Sequence, residues 1–301
     1  MDDLILAWKK DAAVRGMTAS SIYNYSRYLV HFLDFLNGTD IRNADSALIR
    51  DYVEYLRSRS LRTKSIEMNL LSVSSLFEYL IFERKVKENP VRAIRRRYLN
   101  TYKTDSEVQK HKIISIEEAT KLVDSAVDIR DKAVITLLLK TGIRRGELTR
   151  LDLVDVNWQD KSITLKPTKK RSNRVVFFDE ETAGILRRWA KVREGRNLRG
   201  SPALFVSPRG RLEQNGVASI VNKAAIAAGL HDLESKRMED HFSSHCCRHW
   251  FTTHLRRSGM PREFIKELRG DVRREAIDVY DHIDKKELRE SYLAHIPQLG
   301  I

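Results

Sequence analysis

The chain has 301 residues, enough for two domains that each bury a core of their own, and its 42% hydrophobic content is that of a soluble globular protein. Fifty-five Lys and Arg stand against 41 Asp and Glu, a formal net charge of +14 that suits a polyanionic partner. No apolar run is long enough for a membrane span, and the Met1-Asp2-Asp3 start is acidic where a secretory signal is basic. The only cysteines, Cys246 and Cys247, are adjacent and poorly placed for a disulfide, so a reducing, cytoplasmic setting is expected.

From Leu4 to about Arg97 the pattern is helical. Met17-Thr18-Ala19-Ser20 offers caps, after which Ile22, Tyr25, Leu29, Phe32 and Leu36 recur at spacings of three and four until Gly38. Leu48, Tyr52 and Leu56 mark a second helix, and a third from Thr63 places Ile66, Leu70, Val73, Phe77 and Leu80 inside. Asn89-Pro90 is expected to end the bundle. The basic stretch from Ile94 to Lys112 has no sustained period, which sets a domain at 1–97 and a basic linker at 98–111 that can lie along phosphates.

The second domain, 112–301, opens with a capping-box pattern at Ser115-Ile-Glu-Glu118. Ile129 to Leu139 is apolar enough to be the central helix, and Thr141-Gly142 stops it. Arg144 then stands at the mouth of a short helix, Arg145 to Leu151, where it can hold a phosphate or pair with Glu147. Ser162–Leu165 and Val175–Phe178 read as strands around a lysine-rich turn. Helices follow at Glu180–Val192, around Val217–Ala228, and at Lys285–Ile296 with Leu288, Tyr292 and Ile296 on one side.

The densest stretch runs from His245 to Tyr280. A helix capped by Ser243 or Ser244 buries Cys247, Phe251 and Leu255, so His245 and Arg248, three apart, share a face and can reach one anion. Phe264, Ile265 and Leu268 form a second short helix ended by Gly270, and Ala276, Ile277 and Tyr280 begin a third. The cysteines sit among His241, His245, His249 and His254, but lack the paired spacing of a zinc site, and Cys247 reads as a small core residue.

The ordered set Arg144, a lysine in the 166–174 hairpin, His245-x-x-Arg248 and Tyr280 resembles the tyrosine recombinase (phage-integrase, Xer-like) family over nearly the whole chain. The resemblance implies a mainly α fold with a small antiparallel β-sheet: an N-terminal helical DNA-binding bundle and an α+β catalytic domain. It implies cleavage of double-stranded DNA by Tyr280 through a covalent phosphotyrosine, with Arg144 and Arg248 clamping the scissile phosphate, His245 as a further donor or proton carrier, and Lys169 protonating the leaving 5′-oxygen. Lys166 and Lys170 are the neighbouring choices. The chemistry needs no metal or nucleotide cofactor. Four protomers would form the active assembly, and in relatives a C-terminal tail of this sort packs into a neighbouring protomer; a self-packed tail is the alternative. Asp271, in Leu268-Arg269-Gly270-Asp271, stands where the family usually has histidine or tryptophan. A DNA-binding protein without cleavage on the same scaffold, and a type IB topoisomerase-like relaxase, are the competing readings.

Overall fold

The computed structural model describes residues 2–99, 112–167, 174–197, 199–235, 237–271 and 283–301. They form two compact units, one on each side of residues 100–111.

The first unit is helical: α1 (Asp2–Val14), α2 (Ala19–Leu36), α3 (Ser46–Ser58), α4 (Thr63–Phe82) and α5 (Val91–Tyr98). Thr18 caps α2 by accepting from the Ser21 N–H, and Asn37, in the left-handed region at φ 45°, ends it. Leu29, Phe32 and Leu36 of α2 meet Tyr52 and Leu56 of α3 and the Ile66, Leu70, Val73, Phe77 and Leu80 stripe of α4 in one core. Ile22 and Tyr25 stay half-buried; Tyr25 stacks on Trp8, which α1 contributes to the same core.

Asn89-Pro90 does not end this bundle. The Asn89 amide donates to Ser74 O and Oγ while its Oδ1 accepts from the Val91 N–H, turning the chain into α5. Pro90 sits at the cap, where a missing N–H costs no helical bond. Val91 and Ile94 are buried, and Arg96 and Arg97 lie on the outer face of a helix in a stretch whose sequence shows no sustained period. Two apolar positions in two turns are too few to show a period.

The second unit is built around α7 (Ile129–Thr141), whose residues from Ala133 to Thr141 are all buried. Packed on it are α6 (Ile116–Asp124), α9 (Glu180–Arg196), α10 (Gln214–Ala227) and α11 (Ser244–Arg257). The capping box forms as expected, Glu118 N–H to Ser115 Oγ at 3.1 Å and Ser115 N–H to Glu118 Oε2 at 2.8 Å. A three-stranded antiparallel sheet lies in the order β1 (Val156–Asn157), β2 (Ser162–Leu165), β3 (Arg174–Phe177), with Ser162 opposite Phe177 and Leu165 opposite Arg174. A small hairpin, β4 (Val206–Ser207) and β5 (Gly210–Arg211), precedes α10. The helix after Arg144, α8 (Arg145–Leu148), is a single turn: Arg150 and Leu151 bond back three residues, tightening the chain out of the helix.

After α12 (Arg262–Arg269), the last described helix is α13 (Lys285–His295). Leu288, Tyr292 and Ile296 are buried as expected, against their own domain. Tyr292 donates to Lys140 O at 2.9 Å. The fully buried Lys140 ammonium donates to Asp179 Oδ2, Glu181 Oε2 and Pro297 O, each at 2.6 Å. Glu181 in turn accepts from the Leu299 and Gly300 N–H groups, and Thr120 donates to Leu299 O. Within the single chain the tail is thus tied to α7 and to the start of α9.

Candidate active site

Three chain segments converge here, one of them about a hundred residues before the other two. The first is the end of α7. Gly142 takes the left-handed conformation (φ 60°) that terminates the helix, and a β-carbon there would collide with the Phe251 ring of α11. The glycine thus lets the two helices approach, and its carbonyl accepts from Arg248 Nη1 at 2.6 Å. Two residues on, Arg144 occupies the cap position of α8. Its backbone N–H donates to Glu147 Oε2 at 2.7 Å, and its guanidinium Nη1 reaches Glu147 Oε1 at 3.4 Å and Arg269 O at 3.2 Å.

The expected Arg144–Glu147 pair is present, but it is not the main use of Glu147. Arg174, at the start of β3, grips that carboxylate with both terminal nitrogens, at 2.9 and 3.0 Å, and donates Nε to Leu268 O at 3.1 Å. Both side chains are almost fully buried, so this fork ties the hairpin, the Arg144 turn and the end of α12 together. In sequence Arg174 is only the end of a basic hairpin. An arginine beside other basic residues carries no sign that it will be buried.

The second segment is α11. Ser243 caps it, with the His245 N–H 3.3 Å from its Oγ. Cys246, Cys247, Phe251 and Leu255 face the core, while His245 is exposed, its ring perpendicular to that of His249 at 4.6 Å. Arg248, one turn on, is buried. Its Nη2 donates to Arg269 O at 2.8 Å and lies 3.3 Å from Asp271 Oδ1. Burial chiefly, and then the charge of Arg269, push the guanidinium down to about 10, against the opposing pull of Asp271 and Glu147; it remains a cation at neutral pH.

The third segment is the carboxyl end of α12. Gly270 is left-handed (φ 59°), and the Asp271 N–H closes onto Lys266 O at 3.1 Å, which turns Asp271 back over the arginines. Arg269 O accepts from both Arg144 and Arg248, so two guanidinium groups meet at one carbonyl with the Asp271 carboxylate beside them. Such a pair of permanently charged, fork-shaped donors is suited to a tetrahedral oxyanion.

Of the six residues singled out from sequence, Arg144, Arg248 and Asp271 are brought together and His245 stands one turn from Arg248 on the same helix. Lys169 and Tyr280 lie outside the described residues, as do Lys170 and the expected helix from Ala276. Lys166 is described: its ammonium is bonded to Asp152 and lies 3.5 Å from Asp155, and Arg211 holds the other oxygen of Asp152. Cys247 is a core residue, its thiol pushed up by burial. Among the described residues no group of three or more His, Cys, Asp or Glu is arranged to hold a metal ion, and no described helix is long and apolar enough to cross a membrane.

Residues 104–287 match the Phage integrase family, and residues 4–88 match the phage integrase N-terminal SAM-like domain. Tyrosine recombinase XerD of Rickettsia bellii is 28% identical over 302 residues, an alignment covering 94% of each chain. Among solved structures, a lambda integrase dimer bound to a COC′ core site superposes with a TM-score of 0.71 at 18% identity, covering 95% of this chain and 99% of that one. A lambda integrase tetramer bound to a Holliday junction gives 0.70 at 18% identity, covering 94% and 79%. At these identities the structures share a fold: a mainly helical chain with a small antiparallel sheet.

Proposed function

This chain belongs to the phage integrase family, and from that premise we propose that it is a site-specific tyrosine recombinase, which cleaves and rejoins double-stranded DNA through a 3′-phosphotyrosine. The observation that carries the reading is the convergence of Arg144 and Arg248 on one carbonyl, which fixes two guanidiniums side by side. Attack on a phosphodiester builds negative charge on the non-bridging oxygens, and two guanidiniums fixed before the reaction stabilise it without reorganising. Tyr280 is the nucleophile. A phenol titrates near 10, so the local cations must favour its ionised form or a base must take its proton. Forming a phosphotyrosine conserves the energy of the broken bond for rejoining. His245 supplies a further donor or carries a proton, and Lys169 protonates the 5′-oxygen as it leaves.

The N-terminal domain, 1–97, and the catalytic domain, 112–301, joined by 98–111, both contact DNA phosphates, which position without specifying sequence. The lambda integrase neighbours, solved as a dimer and a tetramer on DNA, support assembly of protomers on DNA, with four in the synapse. The cytoplasm, where DNA and reduced thiols coexist, is the expected place of action.

The test is a denaturing-gel assay for covalent protein–DNA adducts, comparing the protein with Tyr280→Phe on fragmented DNA from the source and sequencing what is attached. Adducts that require Tyr280 and recur at one inverted repeat support the reading. Scattered adducts favour a relaxase, and none on DNA that the protein binds would leave a non-cleaving binder.

A further inference from the structure

The Asp271 carboxylate lies beside both arginines of the pair and beside Arg269. Oδ1 lies 3.3 Å from Arg248 Nη2 and 3.8 Å from Arg144 Nη2, and Oδ2 lies 3.3 Å from Arg269 Nε, which is buried and not aligned to donate to any acceptor. Three guanidiniums therefore surround one carboxylate, and none holds it at the 2.7–2.9 Å of a tight charge-assisted bond. The strong bonds of this cluster go elsewhere: Arg248 to the Gly142 and Arg269 carbonyls, and Arg174 to Glu147.

The side chains differ in freedom as well. That of Arg248 is 5% exposed and anchored at both ends of its fork, whereas those of Arg144 and Asp271 are 36% and 31% exposed. The backbone of Asp271 is fixed by the left-handed turn at Gly270, so its carboxylate can leave only by rotation toward solvent. A phosphate that reaches Arg144 and Arg248 while the carboxylate remains would face a like charge within a few ångströms, at a cost that grows as water is excluded.

We propose that Asp271 is a resident anion that competes with the scissile phosphate for Arg144 and Arg248, so that productive docking requires its displacement. Asp271 is on this view a specificity-determining residue. It screens part of the pair's positive charge from weakly docked phosphates and yields to one delivered in register by the rest of the DNA contacts. The inference rests on the reading of the arginine pair as the phosphate site.

The test uses the full-length protein, Asp271→Asn and Asp271→Ser, with inorganic phosphate as the probe and the arginine Nε–Hε resonances of Arg144 and Arg248, assigned by substitution, as the readout. Removing the charge is expected to tighten phosphate binding at these two arginines by about tenfold, the order of one close like-charge contact in a partly solvated site. Two variants of different size guard against a packing artefact, and unchanged far-UV circular dichroism identifies a folded sample. Equal or weaker phosphate binding in both folded variants overturns the proposal, as does binding that leaves the Arg144 and Arg248 resonances unmoved. The adduct assay run in parallel separates the two claims. Tighter phosphate binding with no Tyr280-dependent adduct in any variant would uphold Asp271 as competitor while removing the recombinase reading. Tighter binding together with faster adduct formation, and adducts at more sequences, supports both.

Discussion

Replacing Lys140 by Met, a side chain of similar length without charge, isolates a buried ionic cluster of the second unit. The ammonium is fully buried and serves Asp179, Glu181 and Pro297 O at 2.6 Å each. Without it, two carboxylates are left close together beneath the tail. Partial compensation exists: Asp179 Oδ1 keeps the Thr182 N–H and hydroxyl, and Glu181 keeps the Leu299 and Gly300 N–H groups. Removing one partner of a buried ion pair costs about 3–5 kcal/mol, because the remaining charge is stranded away from water. For a unit of this size that is roughly 6–20 °C in melting temperature, at about 2–4 °C per kcal/mol. Urea unfolding followed by tryptophan fluorescence measures it, with an unchanged slope showing that stability and not compactness has moved. Adding Glu181→Gln to Lys140→Met should recover part of the loss, since one of the stranded charges is then gone. A loss below about 1 kcal/mol, the value of an exposed pair, would refute the reasoning and mean that water reaches the cluster.

Glu147→Gln should strand the buried Arg174 guanidinium and loosen Arg144, costing about 3 kcal/mol in stability and slowing adduct formation by about a hundredfold through misplacement of the arginine; wild-type rates would remove Glu147 as the positioning residue. Gly142→Ala forces a β-carbon into the left-handed region and against the Phe251 ring, and a destabilisation of about 2–4 kcal/mol is expected in thermal melts. A neutral result would show that α7 and α11 can separate at no cost. Burial works to raise the Glu181 carboxyl, but the Lys140 ammonium and the Leu299 and Gly300 N–H groups outweigh it and hold the group below its ordinary 4.5. Its contribution to tail packing is thus complete above that value and is lost as pH falls through the lower folded one. Hydrogen exchange at the Leu299 and Gly300 amides, corrected for intrinsic rates, should accelerate as acid protonates Glu181, and should be fast at neutral pH in Glu181→Gln; full protection in Glu181→Gln would separate the tail from Glu181 ionisation.

What could be read from sequence follows the range of the interactions. The α2 and α4 stripes and the Ser115–Glu118 box are contained within a few turns, and they appear where expected. Helix α5 was missed because its only buried apolar residues are Val91 and Ile94, and because a proline that stops one helix can also begin the next. Lys140 was passed over at the end of an apolar helix, since its partners come from residues 179, 181 and 297. Arg174 was counted as one more basic hairpin residue, since the groups that bury it lie on α8 and α12. Local pattern announces an amphipathic face, whereas a buried charge is announced only by its partner, and distant partners leave no periodic trace. Motif order identified Arg144 and Arg248 as companions; that they share the carbonyl of Arg269 is a fact of tertiary structure.

That shared carbonyl bears on how the protein is made. Arg144 and Arg248 are oriented by an acceptor contributed by residue 269, at the far end of α12. As a chain emerges from the ribosome in order, residue 144 is exposed to the cell long before residue 269 has been added. Throughout that interval the nascent polypeptide is basic enough to meet nucleic acid, yet it lacks the carbonyl on which its two guanidiniums would converge. On the proposed reading, competence for chemistry therefore arrives late in synthesis, once the residue that orients both guanidiniums has been added.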